Sequence, residues 1–192
     1  NSLEVIEAVE TLKGKGPADL TEVCLQLASN MLYLAGKGTE AECRVLAENA
    51  VKSGAALERL VAMVEAQGGD SEVILNPDKF EKAPYVYEVK AEKDGYITHI
   101  DAEGCGIASA MLGAGRETKE SEIDYTAGII LHKKTGEKVN KGDVLAALYT
   151  SKEELFEAAA EKYKKSIFIE QEAPKKEPLV YARVTPKGIE KY

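Results

Sequence analysis

Between Ala127 and Thr150 the chain alternates strand-forming and turn-forming residues in a way that dictates paired strands. The apolar run Ala127-Gly-Ile-Ile-Leu131-His132 is followed by Lys133-Lys-Thr-Gly136. Then come Val139 alone among polar residues, Lys141-Gly-Asp143, and a second apolar run from Val144. Gly136 and Gly142 stand where the backbone must reverse, and glycine takes positive φ without steric cost. The expected result is a hairpin of fixed register.

A length of 192 residues allows one large domain or two small ones. The chain is 44% hydrophobic and 30% charged, the balance of a soluble globular protein. A net charge of -8 and only four arginines, Arg44, Arg59, Arg116 and Arg183, argue against a nucleic-acid partner, which would require clustered cations. No apolar run reaches the roughly 20 residues that span a bilayer, so no membrane partner is expected. There is no signal-peptide pattern, and a cytoplasmic location is expected. The start at Asn1, without Met and inside a helix-start pattern, suggests a truncated or processed piece. Cys24, Cys43 and Cys105 lack CxxC spacing and are expected to be reduced, with Cys24 and Cys43 on core faces.

Residues 1–69 carry helical periodicity. Asn1 with Glu4 fits a capping box, and Leu3, Ile6, Val9 and Leu12 recur at helical spacing up to Gly14-Lys-Gly16. Pro17 can open a second helix with the stripe Leu20, Val23, Cys24, Leu27, Met31 and Leu34, ended by Gly36 and Gly38. Thr39 and Glu42 form another capping box, and a last helix runs from Leu57 to the Gly68-Gly69 stop. Such short single-stripe helices bury only a small core and look like the end of a larger assembly. Residues 70–84, broken by Asn76-Pro77 and Ala83-Pro84, are expected to be a linker.

From Tyr85 the period becomes strand-like. Lys93-Asp94-Gly95 predicts a hairpin turn between the strand at Tyr85–Lys90 and a returning strand at Tyr96–Ile100. Ala102–Leu112 is expected to be helical and stopped by Gly113-Ala-Gly115, and Ser151 with Glu154 to cap a helix over Lys152–Tyr163. Ser166–Ile169 and Leu179–Val184 are expected as closing strands, and the polar tail from Thr185 to Tyr192 is expected to fray.

The paired-strand pattern resembles the barrel-sandwich fold that carries lipoyl and biotinyl groups, a fold some enzymes use only as a scaffold. A carrier displays one Lys at a hairpin tip within Met-Lys-Met or Asp-Lys-Ala, and neither tripeptide occurs here. Lys133, Lys134 and Lys138 lie in turns, where lysines are normally just solvated. Gly104-Cys-Gly106 and Gly113-Ala-Gly115-Arg116 follow or interrupt a helix and do not open one, so they lack the order of a phosphate loop. His99 and His132 share no ligand spacing. On residue chemistry alone, no catalytic or substrate-binding set assembles.

Four stretches carry a closer resemblance. They are Asn1-Ser-Leu-Glu-Val-Ile-Glu7-Ala8, Leu12-Lys-Gly-Lys-Gly-Pro-Ala-Asp-Leu-Thr21-Glu22, Ala110-Met-Leu-Gly-Ala-Gly-Arg116 with Ile123-Asp124, and Gly128-Ile-Ile-Leu-His-Lys133 through Gly142-Asp143. In this order and spacing they resemble the C-terminal part of the pyrimidine-nucleoside phosphorylase family, which includes the thymidine phosphorylases. The resemblance weakens after Pro174.

The resemblance implies an α+β chain. Residues 1–69 would be helices of a larger α/β domain, 70–84 a linker, and 85–192 a barrel-sandwich or hammerhead-type C-terminal domain. The whole protein would be a pentosyltransferase and a homodimer. It would use phosphate as co-substrate to cleave uridine, deoxyuridine or thymidine into free base and pentose 1-phosphate. The family's phosphate loop and pyrimidine-gripping residues match nothing between Asn1 and Tyr192, so this fragment is expected to scaffold and not to catalyse alone. Bacterial members hold a potassium-type cation with main-chain carbonyls and one Glu, and the matching residue here is Glu7. The implied carbonyl ligands lie outside this chain, so the site is expected to be incomplete. Read without the family, Glu7 is an exposed helix carboxylate. The rival functions are a lipoyl- or biotinyl-like carrier and a non-enzymatic interaction domain.

Overall fold

The computed structural model describes residues 1–116 and 118–192. Helices dominate the first part of the chain and small antiparallel sheets, with α6 and α7 between their strands, the rest, making the fold α+β. Two compact units form: residues 1–3 with 81–176, and residues 4–80 with 177–192.

The second unit is built on helices α1 (Ser2–Leu12), α2 (Ala18–Leu34), α3 (Glu40–Lys52) and α4 (Ala55–Ala66), followed by the single turn α5 (Glu72–Leu75). The Thr39–Glu42 capping box is present. Glu42 N donates to Thr39 Oγ1 at 3.3 Å, and Thr39 N donates to Glu42 Oε2 at 2.8 Å. Each bond satisfies a donor that a helix start would otherwise leave unpaired, worth about 1 kcal/mol for a cap. Arg44 of α3 then grips Glu22 of α2 with both terminal nitrogens.

Three expectations for this unit are corrected. The α2 stripe does not face a core: Leu27 is 62% exposed, Met31 70% and Leu34 82%. Cys24 is likewise exposed, while Cys43 is fully buried. Periodicity shows that a helix has an apolar face but not what lies against it. The tail also does not fray. β7 (Ala182–Thr185) and β8 (Gly188–Lys191) pair as an antiparallel hairpin. Arg183 anchors that hairpin by pairing with Glu40 and lying 5.0 Å from the centre of the Tyr33 ring.

The first unit holds two three-stranded antiparallel sheets. One has the order β1 (Tyr85–Lys90), β5 (Val144–Thr150), β3 (Gly128–Leu131). The other has the order β4 (Lys138–Val139), β2 (Gly95–Ile100), β6 (Ile167–Glu170). The expected β3–β5 pairing is present, with Ile129 opposite Leu148 and Leu131 opposite Ala146. Val139, between them in sequence, crosses to the other sheet and pairs with Gly95.

The Asp94-Gly95 turn is a correction of the same kind. It does not close a hairpin, because β1 and β2 belong to different sheets. The chain leaves the first sheet at a bulge after Val89, where Ala91 exchanges backbone hydrogen bonds with Asp143 and Gly142 at 2.8 Å each. Gly95 then lies so close to β6 that a Cβ there would meet Glu170 O at 2.4 Å.

One core gathers residues from both sheets. Val89, Ile97, Leu112, Val139, Leu148 and Tyr163 are each at most 1% exposed. Burying a side chain of this size stabilises by about 1.5–3 kcal/mol. Helix α6 (Ala102–Ser109) continues as a wider turn through Ala114, where Gly113 takes φ 102° and ends it, as its sequence predicts. Helix α7 (Phe156–Lys165) starts later than expected, after a 3₁₀ turn at Glu153–Leu155. The expected Ser151–Glu154 cap does not form; Ser151 N donates to Asp124 Oδ2 at 2.9 Å. Among the described residues, no helix is long and apolar enough to cross a membrane.

Candidate functional site

Glu7 lies mid-way along α1 with its side chain exposed. Its main-chain oxygen accepts a hydrogen bond from Thr11 Oγ1 at 2.8 Å, which fixes the local turn and leaves the carboxylate outside it. A potassium-type ion prefers several oxygen donors, including backbone carbonyls. Among the described residues no group of three or more His, Cys, Asp or Glu side chains could hold a metal. Glu7 offers one carboxylate here and belongs to no such group among the described residues.

Residues 1–3 belong to the sheet-containing unit, and two of their donors are held within it. Ser2 N donates to Tyr125 O at 2.9 Å, and the Asn1 side-chain amide donates to Ala114 O at 3.2 Å. A loop of this unit begins at Gly113 and returns at Asp124, and Arg116 on it is exposed. Asp124 N donates to Gly113 O at 2.9 Å, closing the loop at its base. The Asp124 carboxylate takes three further hydrogen bonds. Its Oδ1 accepts from Thr126 N at 2.9 Å and Thr126 Oγ1 at 2.6 Å, and its Oδ2 from Ser151 N at 2.9 Å. Thr150 Oγ1, fully buried, donates to Leu112 O at 2.7 Å. Two successive residues at the end of β5 thus hold opposite ends of one loop. Burial pushes the Asp124 carboxyl up, but the Thr126 and Ser151 donors outweigh it and bring its pKa down to about 2. A cleft of about 340 Å³ opens here, lined by Leu112, Gly113, Asp124, Thr126 and Ser151 among others.

Sequence reasoning missed this arrangement. Asp124-Tyr-Thr126 carries a local signal for it, since Asp commonly accepts from the backbone two residues on. Its link to Ser151 is not local.

The remaining candidates stay apart. His99 is exposed on β2 and lies against Phe168, ring centres 5.5 Å apart and planes tilted by 47°, while His132 follows β3 of the other sheet. Lys133 and Lys134 are half-buried, and the Lys134 amide donates to Glu137 Oε2, closing the turn on itself. That is poor display for a carrier lysine. Cys105 is partly buried, and burial pushes its thiol up, away from a reactive thiolate.

Residues 96–170 match the pyrimidine nucleoside phosphorylase C-terminal domain. The chain is 46% identical over 156 residues to a pyrimidine-nucleoside phosphorylase of Geobacillus stearothermophilus, covering 81% of this chain and 36% of that protein. It is 47% identical over 156 residues to the pyrimidine-nucleoside phosphorylases of Staphylococcus aureus strains USA300 and NCTC 8325, with the same coverage. The chain thus spans just over a third (36%) of the length of the curated relatives it matches.

Proposed function

We propose that this chain is the C-terminal portion of a pyrimidine-nucleoside phosphorylase. The observation that carries this reading is the 46% identity across 81% of the chain to a protein of that name. In the whole protein, phosphate would attack the anomeric carbon of uridine, deoxyuridine or thymidine, and the pyrimidine would leave as the pentose 1-phosphate forms. The protein's task is to align phosphate with the sugar and to stabilise negative charge on the departing base. This portion would act as scaffold.

The exposed α2 face supports the reading. Leu27, Met31 and Leu34 form a stripe of one helix face that this chain leaves open, as a helix from a larger α/β domain would. Residues 1–69 would then belong to that domain, 70–84 would be the linker, and the two sheets from residue 85 would form the barrel-sandwich or hammerhead-type domain. Crossing from one sheet to the other after both β1 and β3 suits such an architecture. Ala110–Arg116 would face the interdomain cleft of the whole protein. Glu7 would supply the one carboxylate of a potassium site, its other oxygens coming from elsewhere in the protein. The whole enzyme would be a cytoplasmic homodimer.

The test is phosphorolysis of uridine and thymidine by the chain alone, and by the chain mixed with the N-terminal portion of the Geobacillus stearothermophilus relative. Activity only on mixing is the expected result. Activity of the chain alone would overturn the scaffold role.

A further inference from the structure

The segment from Gly113 to Asp124 leaves the end of a helix and returns ahead of β3, and three of the hydrogen bonds that fix its return meet at one carboxylate. Gly113 leaves the helix at φ 102°, a conformation that side chains on Cβ disfavour. Its carbonyl accepts from Asp124 N, closing the loop. The Asp124 side chain then divides its two oxygens. Oδ1 takes both donors of Thr126, the residue that leads into β3, and Oδ2 takes the Ser151 amide just past β5. No neutral side chain of this shape can repeat the pattern. An asparagine has one acceptor and one donor end, so turning its oxygen toward Thr126 sets its NH₂ against the Ser151 N–H, and the reverse turn fails at Thr126.

We propose that Asp124 is a positioning residue that ties Gly113 and Thr126 to the end of β5, so that Arg116, three residues past Gly113, is presented from a fixed base. Thr150, holding Leu112 O from the same strand end, supplies the opposite anchor. Ser2, in the same unit, donates its N–H to Tyr125 O, the residue just past Asp124. The inference concerns this chain's own geometry and stands without the phosphorolysis reading.

The test is limited trypsin digestion of the folded chain, following cleavage after Arg116 and Lys119 inside the loop. Cleavage after Lys162, within α7 on the core of the same unit, reports opening of the whole unit. Loss of hydrogen bonds to a charged acceptor predicts that Asp124→Asn speeds loop cleavage by about tenfold or more. Cleavage after Lys162 should stay unchanged. Thr126→Val, which keeps the branched shape and removes only the hydroxyl donor, should speed loop cleavage about threefold. Loop cleavage at the wild-type rate in Asp124→Asn, or an equal rise after Lys162, would overturn the proposal. If Asp124→Asn does not fold, Thr126→Val decides, and an unchanged loop rate there overturns it.

Discussion

Arg44 of α3 holds both carboxylate oxygens of Glu22 on α2, at 2.9 and 2.7 Å, while its Nε donates to Glu48 at 2.8 Å. The forked geometry suits a guanidinium and not an ammonium. Arg44→Lys therefore keeps the charge and loses the fork. The pair is partly open to solvent, with 40% of the Glu22 side chain exposed, so the expected cost is about 0.5–1 kcal/mol. Thermal unfolding should show this as a fall of about 1–4 °C. Hydrogen bonding to Arg44 holds the Glu22 carboxyl below its usual pKa, so the contribution is present at neutral pH and fades as pH falls below the ordinary carboxylate range. The difference between wild type and variant should shrink as pH falls below that range.

Asp124 carries a second pH prediction. Its folded pKa of about 2 lies below the unfolded value near 3.8, so the folded state is favoured above the unfolded pKa and loses that advantage as pH falls through the folded one. The contribution is roughly 2 kcal/mol at neutral pH. Amide resonances of Thr126 and Ser151 should titrate together near pH 2 by NMR. A transition of either at the ordinary Asp value would show that its hydrogen bond to the carboxylate is absent.

Gly95 is a matter of space. A methyl there would sit 2.4 Å from the backbone oxygen of Glu170 and 2.8 Å from Ile169 Cγ2. Because the nearer obstacle is backbone, β6 has to move. Gly95→Ala is expected to destabilise by about 3 kcal/mol, read from the midpoint of urea unfolding. Gly106→Ala, where nothing lies within 4 Å, should be neutral or slightly stabilising.

How much of this was legible in sequence divides along local and non-local lines. The Thr39–Glu42 box, the Gly113 stop and the β3–β5 pairing are set by residues close together in the chain, and all three form. Asp94-Gly95 carries as strong a turn signal, yet its strands take partners from β5, β4 and β6. A turn signal says that the chain reverses, not which strand it will meet. The α2 stripe is the same problem on a helix. The Arg183 anchor and the Asp124–Ser151 link each join residues far apart in sequence, and neither end announces the other. Glu7 is singled out only through the family resemblance, since on α1 it is one of two exposed carboxylates, with Glu4.

The open α2 face has a direct consequence in solution. An exposed stripe of Leu27, Met31 and Leu34 favours association of the isolated chain. Replacing all three with Gln is expected to lower the concentration-dependent apparent mass in size-exclusion chromatography. The thermal midpoint should stay within about 2 °C, because exposed residues contribute little to folding. An unchanged elution profile would mean that this face is not where copies meet.

The most direct test of the central claim is a chimera in which this chain replaces the matching segment of the Geobacillus stearothermophilus pyrimidine-nucleoside phosphorylase, assayed for phosphate-dependent release of uracil from uridine. The account predicts a folded chimera with activity close to that of the parent enzyme. A folded chimera that releases no uracil would contradict it.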